Sequence, residues 1–351
     1  MGKAKASNGQ KLAIAGRVTL ADVAEHAGVS RSTASLVVRN SNLIPEATHE
    51  KVRSSMQALG YIYNQGAANL RKQKSATLGI VLADMTNPFY ATLALGMEQI
   101  CHEQGYVTVF ANSGEDSARQ RLIIERLVEH NVAGVLLCSA DNRAGRDLDI
   151  LRSAATPVVE IMRRVEGGTE TYIGPDNIKG MGLVVDHLAA LRRKRIAFLG
   201  GPVGKSSSKE RLQGFTAAMR RNKIPVDQKL VLSLEINRRS AMEATLDLLK
   251  QQPAIDAIVC YNDVIALGAL LALQRLDLKA GHDLSLVGFD DIPEASLWTP
   301  SLTTVAIDPL RIGRLAATEL LRRVAEPGMP AKQIIIEPQL IIRESCGADW
   351  S

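Results

Sequence analysis

Three short amphipathic stretches open the chain, and each repeats its apolar positions at helical spacing. After Thr19, the segment LADVAEHA places apolar side chains on one face, and Gly28 follows as a residue that ends a helix at positive φ. Arg31 to about Arg39 predicts a second helix, and Glu46 to Ala58 predicts a third. Because a tight glycine turn joins the first two helices, residues 17–63 predict an all-α helix-turn-helix domain.

The second predicted helix separates an apolar face from a polar one. Ser30 is the expected N-cap, as Thr19 is for the first helix with Asp22 three residues later. Ala34, Val37 and Val38 are expected to face a small core. The outer face consists of two rows, Arg31, Ser35 and Arg39 beside Ser32 and Leu36.

From residue 77 on, short apolar runs alternate with amphipathic stretches. This alternation predicts parallel β-sheets covered by helices. The runs are too many for one small sheet, so two α/β lobes are expected. They read TLGIVLA, VTVFA, AGVLLC, PVVEI, RIAFLGG, DAIVCY, LSLVGF and TTVAI.

Polar and aromatic residues follow several of these predicted strands. Ligands in such sheets bind beyond the carboxyl ends of the strands, so these positions are candidate ligand contacts. Arg163, Lys205 and Arg211 suggest an anionic ligand, since Arg pairs bidentately with carboxylate. The candidates are Asp84, Asn87, Pro88, Phe89, Tyr90, Met162, Arg163, Arg164, Lys205, Ser207, Arg211, Tyr261, Asn262, Asp263, Asp290 and Asp291.

The charge of the chain is unevenly distributed. Residues 1–75 hold 11 Lys and Arg against 4 Asp and Glu, whereas the remainder holds 31 against 33. A basic N-terminal region beside a slightly acidic body predicts a polyanionic partner for the former. Residues 1–16 are expected to form a disordered basic tail, whose charge could alternatively serve solubility alone.

The composition bears on cellular location and on metal or cofactor binding. No apolar run approaches the roughly 20 residues that span a bilayer, and no apolar segment of a signal peptide follows the basic start. The four cysteines form neither a CxxC pair nor a zinc spacing. We therefore expect a cytoplasmic protein with reduced cysteines and without a metal, a cofactor or a membrane contact.

An enzyme is the first alternative. RIAFLGGPVGKSS resembles a phosphate-binding loop, but only three residues separate Gly200 from Gly204, where that loop needs four. No HExxH or GxSxG motif occurs either, so no catalytic residue is assigned. The second alternative, a transport binding protein, does not explain the basic helix-turn-helix segment.

The opening segment VTLADVAEHAGVSRSTASLVV closely resembles the signature of the LacI/GalR (lactose-repressor) family, with Ala34 and Arg39 as departures. The resemblance implies a cytoplasmic, nucleoid-associated bacterial transcription regulator that binds a palindromic double-stranded DNA operator as a homodimer. The sequence closes with RESCGADWS and shows no heptad repeat there, which favours a dimer over a tethered tetramer. The resemblance places Arg31, Ser32 and Leu36 at base-reading positions. It places Thr19, Ser30, Thr33 and Ser35 at phosphates.

In this family, the segment corresponding to residues 64–75 is a hinge helix that folds in the minor groove. Leu70 aligns with its wedge residue, Ala67 with its close-packing Ala and Arg71 with the basic residue that follows. Asn64 is the remaining DNA-contact candidate. Gly66 and Ala68 depart from the family, which predicts a hinge that is disordered without DNA.

For residues 76–351 the resemblance implies a periplasmic-binding-protein-like domain with an effector cleft. The expected N-lobe covers about 76–175 and 305–337, and the C-lobe about 176–304 and 338–346. Ile307 and Met162 replace the common Gln and Asp, which suggests an unusual effector. The predicted effector contacts are Asn87, Phe89, Tyr90, Arg163, Asp176, Ser207, Arg211, Asn262 and Asp290.

The predicted function is repression of a carbohydrate or sugar-acid uptake or catabolism operon, relieved by a small-molecule effector. Stretches such as ASLVVRN and AIVCYN also resemble the maltose-regulon repressor subgroup, which keeps a neutral sugar open. A purine- or nucleoside-responsive regulator of the same family is the alternative. The family contains both inducer- and co-repressor-controlled members, so both modes remain open.

Overall fold

A computed structural model describes residues 18–62, 75–143 and 145–348. The chain divides between Lys74 and Ser75 into two compact units, an N-terminal unit and a C-terminal unit, which are described separately. The predicted tail over 1–16 lies outside the described residues, as does the predicted hinge over 64–75 apart from Ser75.

The N-terminal unit consists of α1 (Leu20–His26), α2 (Arg31–Val38) and α3 (Glu46–Ala58). The predicted caps are confirmed. Thr19 and Asp22 form a capping box, and the Ser30 hydroxyl accepts the backbone N–H of Thr33 at 3.1 Å. Gly28 adopts a φ of +61°, which lets the chain turn sharply into α2.

A small apolar core holds these three helices together. Val38, the last residue of α2, is only half-buried and lies outside this core, contrary to prediction. Met56 of α3 and Leu59, which directly follows α3, pack against this core. The buried core residues are Val23, Ala24, Ala27, Ala34, Val37 and Val52.

The C-terminal unit alternates strands and helices. In chain order its elements are β1 (Thr77–Leu82), α4 (Pro88–Glu103), β2 (Val107–Asn112), α5 (Ser117–Glu129), β3 (Gly134–Leu137), α6 (Gly145–Ser153), β4 (Val158–Ile161), β5 (Thr171–Pro175), α7 (Asn177–Ala190), β6 (Ile196–Gly200), α8 (Ser206–Arg221), β7 (Val231–Ser233), α9 (Arg238–Gln251), β8 (Ala257–Cys260), α10 (Asp263–Arg275), β9 (Ser285–Val287), β10 (Thr304–Ala306), α11 (Pro309–Ala325), β11 (Gln333–Ile336) and β12 (Gln339–Ile341). Short 3₁₀ turns cover Gln228–Leu230, Pro293–Ser296 and Glu344–Cys346.

These strands form two parallel sheets, one in each lobe. The N-lobe sheet has the order β11-β5-β4-β3-β1-β2, and the C-lobe sheet has the order β7-β6-β8-β9. A separate antiparallel pair joins β10 to β12. Since β11 returns to the first sheet after β6–β9 have formed the second, the chain crosses between the lobes more than once, as expected for the two-lobed fold.

Two glycines let α4 and α11 pack backbone to backbone in the N-lobe. A Cβ at Gly96 would collide with the carbonyl oxygen of Leu310, and one at Gly313 would collide with that of Leu93. Only glycine lets the two helix backbones come this close. Across the described ranges, no helix is both long enough and apolar enough to span a membrane.

Candidate DNA interface and effector cleft

The outer face of α2 carries the predicted base-reading residues. Arg31 and Ser32 are exposed at the start of the helix, whereas Ser35 and Leu36 are half-buried one turn later. Leu36 is not part of the apolar core of the N-terminal unit. The helix therefore presents Arg31, hydroxyl groups and one apolar side chain on a single face, and Arg39 is exposed directly after its last residue.

Hydroxyl groups cluster at the N-terminus of α2. The Ser30 hydroxyl lies 2.7 Å from that of Ser32 and 2.8 Å from that of Thr33. The Thr19 hydroxyl donates to Asp22 at 2.8 Å at the start of α1. Hydroxyls and free backbone N–H groups at a helix N-terminus are suited to contact phosphate, because the helix dipole is positive there.

The predicted hinge contacts Asn64, Ala67, Leu70 and Arg71 lie outside the described residues. Their assignment therefore stays a prediction.

A cleft between the two lobes brings the predicted effector residues together, with the exception of Asp176. Its cavity has a volume of about 20 Å³, enough for about one water molecule, because side chains from both lobes fill it. The lining residues are Asp84, Asn87, Phe89, Tyr90, Glu115, Met162, Arg163, Ser207, Arg211, Ile236, Tyr261, Asn262 and Asp290.

Asp176 corrects the predicted site. Its side chain caps α7 by accepting the backbone N–H of Lys179 at 2.8 Å, and it does not line the cleft. Asp176 lies between β5 and α7, and its carboxylate serves as the N-cap of α7. Its neighbour Asn177 contributes indirectly, because its Oδ1 accepts Nε–H of Arg211 at 2.8 Å.

Arg163 is bound on the N-lobe side by a carboxylate that sequence analysis missed. Its Nη1 and Nη2 donate to the two carboxylate oxygens of Glu115 at 2.7 and 2.8 Å. Lys205, at the start of α8 in the C-lobe, lies 3.0 Å from the same carboxylate and donates to the carbonyl of Ala140. Burial alone would raise the pKa of Glu115, but these two cations outweigh it and lower that pKa.

Arg211 forms a second buried cluster on the C-lobe side. Its Nη2 lies 3.3 Å from Oδ1 of Asp290, and its Nη1 donates to the carbonyl of Tyr261. The guanidinium carbon lies 3.7 Å from the ring centre of Phe289. These contacts hold the guanidinium in place.

Two lining residues besides Glu115 have unusual backbone conformations. Met162 and Asp290 have φ values of +61° and +114°, which residues other than glycine rarely adopt. Such conformations cost on the order of 1–3 kcal/mol each and cluster at functional sites. Burial raises the pKa of Asp290 to about 6, although Arg211 opposes the rise.

Arg163, Lys205 and Arg211, the cations that suggested an anionic ligand, are each paired with a carboxylate in the structure. Of the two departures from the family, Met162 lines the cleft, whereas Ile307 is buried in the apolar core and does not line it. Within the described part of the chain, no group of three or more His, Cys, Asp or Glu side chains is placed to hold a metal ion.

Two family models match the chain. Residues 19–64 match the model described as bacterial regulatory proteins, lacI family, and residues 185–346 match the periplasmic binding protein-like domain. The fold and these matches define a DNA-binding transcription regulator with a two-lobed effector domain.

Curated relatives extend the match over most of the chain. The ribose operon repressor of Escherichia coli is 30% identical over 328 residues, covering 93% of this chain and 99% of its own. The repressor PurR of Haemophilus influenzae is 31% identical with 93% and 98% covered, and the maltose regulon regulatory protein MalI of Escherichia coli is 30% identical with 94% and 99% covered. The chain belongs to the lacI family of bacterial regulatory proteins.

A solved structure of the lac repressor dimer bound to operator and the anti-inducer ONPF matches with a TM-score of 0.84 and 26% identity. The match covers 94% of this chain and 99% of the repressor chain. The fold predicted from the sequence is thereby confirmed.

Proposed function

We propose that this chain is a homodimeric repressor of a carbohydrate or sugar-acid uptake or catabolism operon, released from a palindromic operator by a small-molecule effector. The observation that carries the proposal is the cleft, in which buried polar side chains of both lobes converge with Phe89 and Tyr90 at one wall. Its relatives repress a ribose operon and regulate a maltose regulon, which supports a carbohydrate effector.

In this proposal α2 lies in the major groove and its N-terminal residues contact bases. Arg31 reads guanine, since its exposed guanidinium can donate two hydrogen bonds to one base edge. Leu36 can contact a thymine methyl but cannot donate a hydrogen bond. The hydroxyls of Thr19, Ser30, Thr33 and Ser35 contact phosphates, and Ser32 lies beside Arg31 at the bases.

Residues 64–75 form the hinge that couples effector binding to operator binding. The Leu70 side chains of two protomers wedge into the centre of the operator, while Asn64, Ala67 and Arg71 contact the adjacent backbone and groove. Effector binding changes the relative arrangement of the lobes, and operator affinity falls by as much as the effector prefers one arrangement over the other.

The proposed effector contacts are Asn87, Phe89, Tyr90, Arg163, Ser207, Arg211, Asn262 and Asp290. The protein acts in the cytoplasm and as a regulator without catalytic activity. Because the charged groups are buried and fixed, ligand hydroxyls would meet donors and acceptors already in position.

Two measurements test the proposal on the full chain. Selection from random double-stranded DNA should yield a near-palindromic site, and a thermal-shift screen of sugars, sugar acids and nucleosides should identify an effector that changes affinity for that site. Removal of residues 1–75 should abolish operator binding and preserve effector binding. A chain that binds sugar but selects no DNA sequence would instead be a binding protein without a regulatory role.

A purine or nucleoside effector is the second candidate, because the PurR relative is as similar to this chain as the ribose repressor. The aromatic rings of Phe89 and Tyr90 could stack on a base as well as on a sugar. A melting-temperature increase with nucleosides or nucleobases and none with sugars would favour this candidate.

A further inference from the structure

Glu115 occupies an unusual place in the cleft wall. It follows β2 in the loop before α5 and adopts a φ of +63°, which is rare for a residue with a side chain. Its carboxylate points at Arg163, which is 4% exposed, and at Lys205, which is 8% exposed. One carboxylate thus neutralises two buried cations that come from different lobes.

The second guanidinium in the cleft is equally occupied. Arg211 donates to Asn177, to the carbonyl of Tyr261 and to Asp290. The remaining lining carboxylate, Asp84, accepts from the hydroxyl of Thr86 at 2.7 Å. The described lining residues therefore carry three carboxylates and two guanidiniums, and neither guanidinium is without a carboxylate partner.

A charged ligand and an uncharged one would meet this arrangement very differently. A carboxylate or phosphate would enter beside Glu115 and Asp290 without a free cation, and burying an unpaired charge is strongly unfavourable. A hydroxyl group can donate to a carboxylate and accept from a guanidinium, so both ion pairs can remain intact while they bind it.

We propose that Glu115 is a specificity-determining residue that makes the cleft select an uncharged, hydroxyl-rich ligand over its carboxylate or phosphate counterpart. The inference rests on the proposed effector role of the cleft and deepens it. Without the Glu115 charge, Arg163 and Lys205 would form an anion site from both sides of the cleft. With that charge, the same two cations orient a carboxylate that accepts ligand hydroxyls.

The test is Glu115→Gln in the full chain, since glutamine keeps the size and removes the charge. Calorimetry compares neutral and anionic partners of one skeleton: glucose with glucuronate and glucose 6-phosphate, ribose with ribose 5-phosphate, and adenosine with adenosine monophosphate. The wild type should bind a neutral member at least tenfold more tightly than its anionic counterpart. Glu115→Gln should shift that ratio at least tenfold toward the anion.

Glu166→Gln is the matched control, because Glu166 pairs with Lys209 at 3.6 Å at an exposed position and does not line the cleft. It should leave the ratio unchanged. The double variant Glu115→Gln/Lys205→Gln removes one charge of each sign and should return at least part of the neutral preference. That recovery would separate an effect of charge from a loss of local packing.

The outcomes separate this inference from the proposed function. Preference of the wild type for an anionic member, or a ratio that Glu115→Gln changes less than twofold, would overturn the role of Glu115 and leave a carbohydrate effector intact. If the wild type instead binds adenosine and none of the sugars, and Glu115→Gln prefers adenosine monophosphate, that outcome would support the role of Glu115 and overturn the carbohydrate assignment. Binding of no member of any pair, and of no sugar, sugar acid or nucleoside in the thermal-shift screen, would overturn both.

Discussion

The N-terminal unit and the effector cleft present their functional residues in opposite ways. On α2, the candidate reading residues belong to one short helix and stand exposed or half-buried beside a core of six buried residues. In the cleft, residues from both lobes are buried and bonded to one another. Surface substitutions on α2 should therefore change recognition alone, whereas substitutions in the cleft should change recognition and stability together.

Arg211→Ala should give the largest effect and test the cleft half of this comparison. It leaves Asp290 and Asn177 without their buried partner, so effector affinity should fall at least 100-fold and the unfolding free energy by about 3–5 kcal/mol. Calorimetry and urea denaturation measure the two changes.

Arg221→Ala on the same helix is the control for Arg211→Ala. Its exposed pair with Asp186 at 2.7 Å should contribute less than about 1 kcal/mol and nothing to effector binding. Normal effector affinity in Arg211→Ala would show that the cleft is not the effector site.

Leu70→Ala tests whether operator binding depends on residues beyond α2. Loss of the proposed wedge should lower operator affinity at least tenfold, since unstacking a base step costs a few kcal/mol that only the wedge and the resulting bend recover. Effector affinity should hold. A gel-shift titration with the selected operator measures the change, and retained tight binding would contradict the wedge.

Lowering the pH tests whether the cleft needs a charged Asp290. Its pKa of about 6 predicts that effector affinity falls roughly tenfold between pH 7 and pH 5, because protonation removes an acceptor. The contribution of Asp290 to the free energy of unfolding changes with pH in the opposite direction to effector affinity. Burial raises this pKa above the unfolded value of about 4, so Asp290 contributes favourably to folding at low pH, and that contribution is lost as pH rises through about 6.

Asp290→Asn is the control for the pH titration. Its effector affinity should be weaker at pH 7 and nearly constant down to pH 5. If the variant kept the pH dependence of the wild type, another group would be responsible.

Leu36→Ala should give the smallest effect and sharpen the N-terminal half of the comparison. Loss of the contact between Leu36 and a thymine methyl should lower operator affinity less than about tenfold and weaken a thymine preference at one base pair. Arg31→Ala on the same face should cost about 1–3 kcal/mol of discrimination at its guanine. Neither should change the unfolding free energy measurably. Strong guanine preference lost only in Leu36→Ala would reverse these two assignments.

The N-terminal unit was predictable from sequence because its signals are local. Thr19, Ser30 and Gly28 each act on a neighbouring turn, and the helices begin and end where these residues predict. In the C-terminal unit the eight predicted apolar runs form strands, whereas β5, β7, β11 and β12 were not predicted. The expectation for Val38 was wrong because burial at the end of a helix depends on what the neighbouring helices cover.

The cleft was predictable only in part. Glu115 follows the apolar run VTVFA by a few residues, so the rule that located Asn87 and Asn262 would have found it, had it been applied to β2. Ile236 was missed because the three-residue strand β7 that precedes it has no clear sequence signal. Asp176 was misplaced because a carboxylate after a strand can cap the next helix as readily as bind a ligand.

The packing of Gly96 against α11 has a mechanical consequence for the cleft. Helix α4 has 16 residues and is about 24 Å long, and its N-cap, Asn87, lines the cleft. At Gly96 and Gly313, near the middle of α4, its backbone lies directly against that of α11. We therefore expect a displacement at Asn87 to be passed to α11 through this backbone contact.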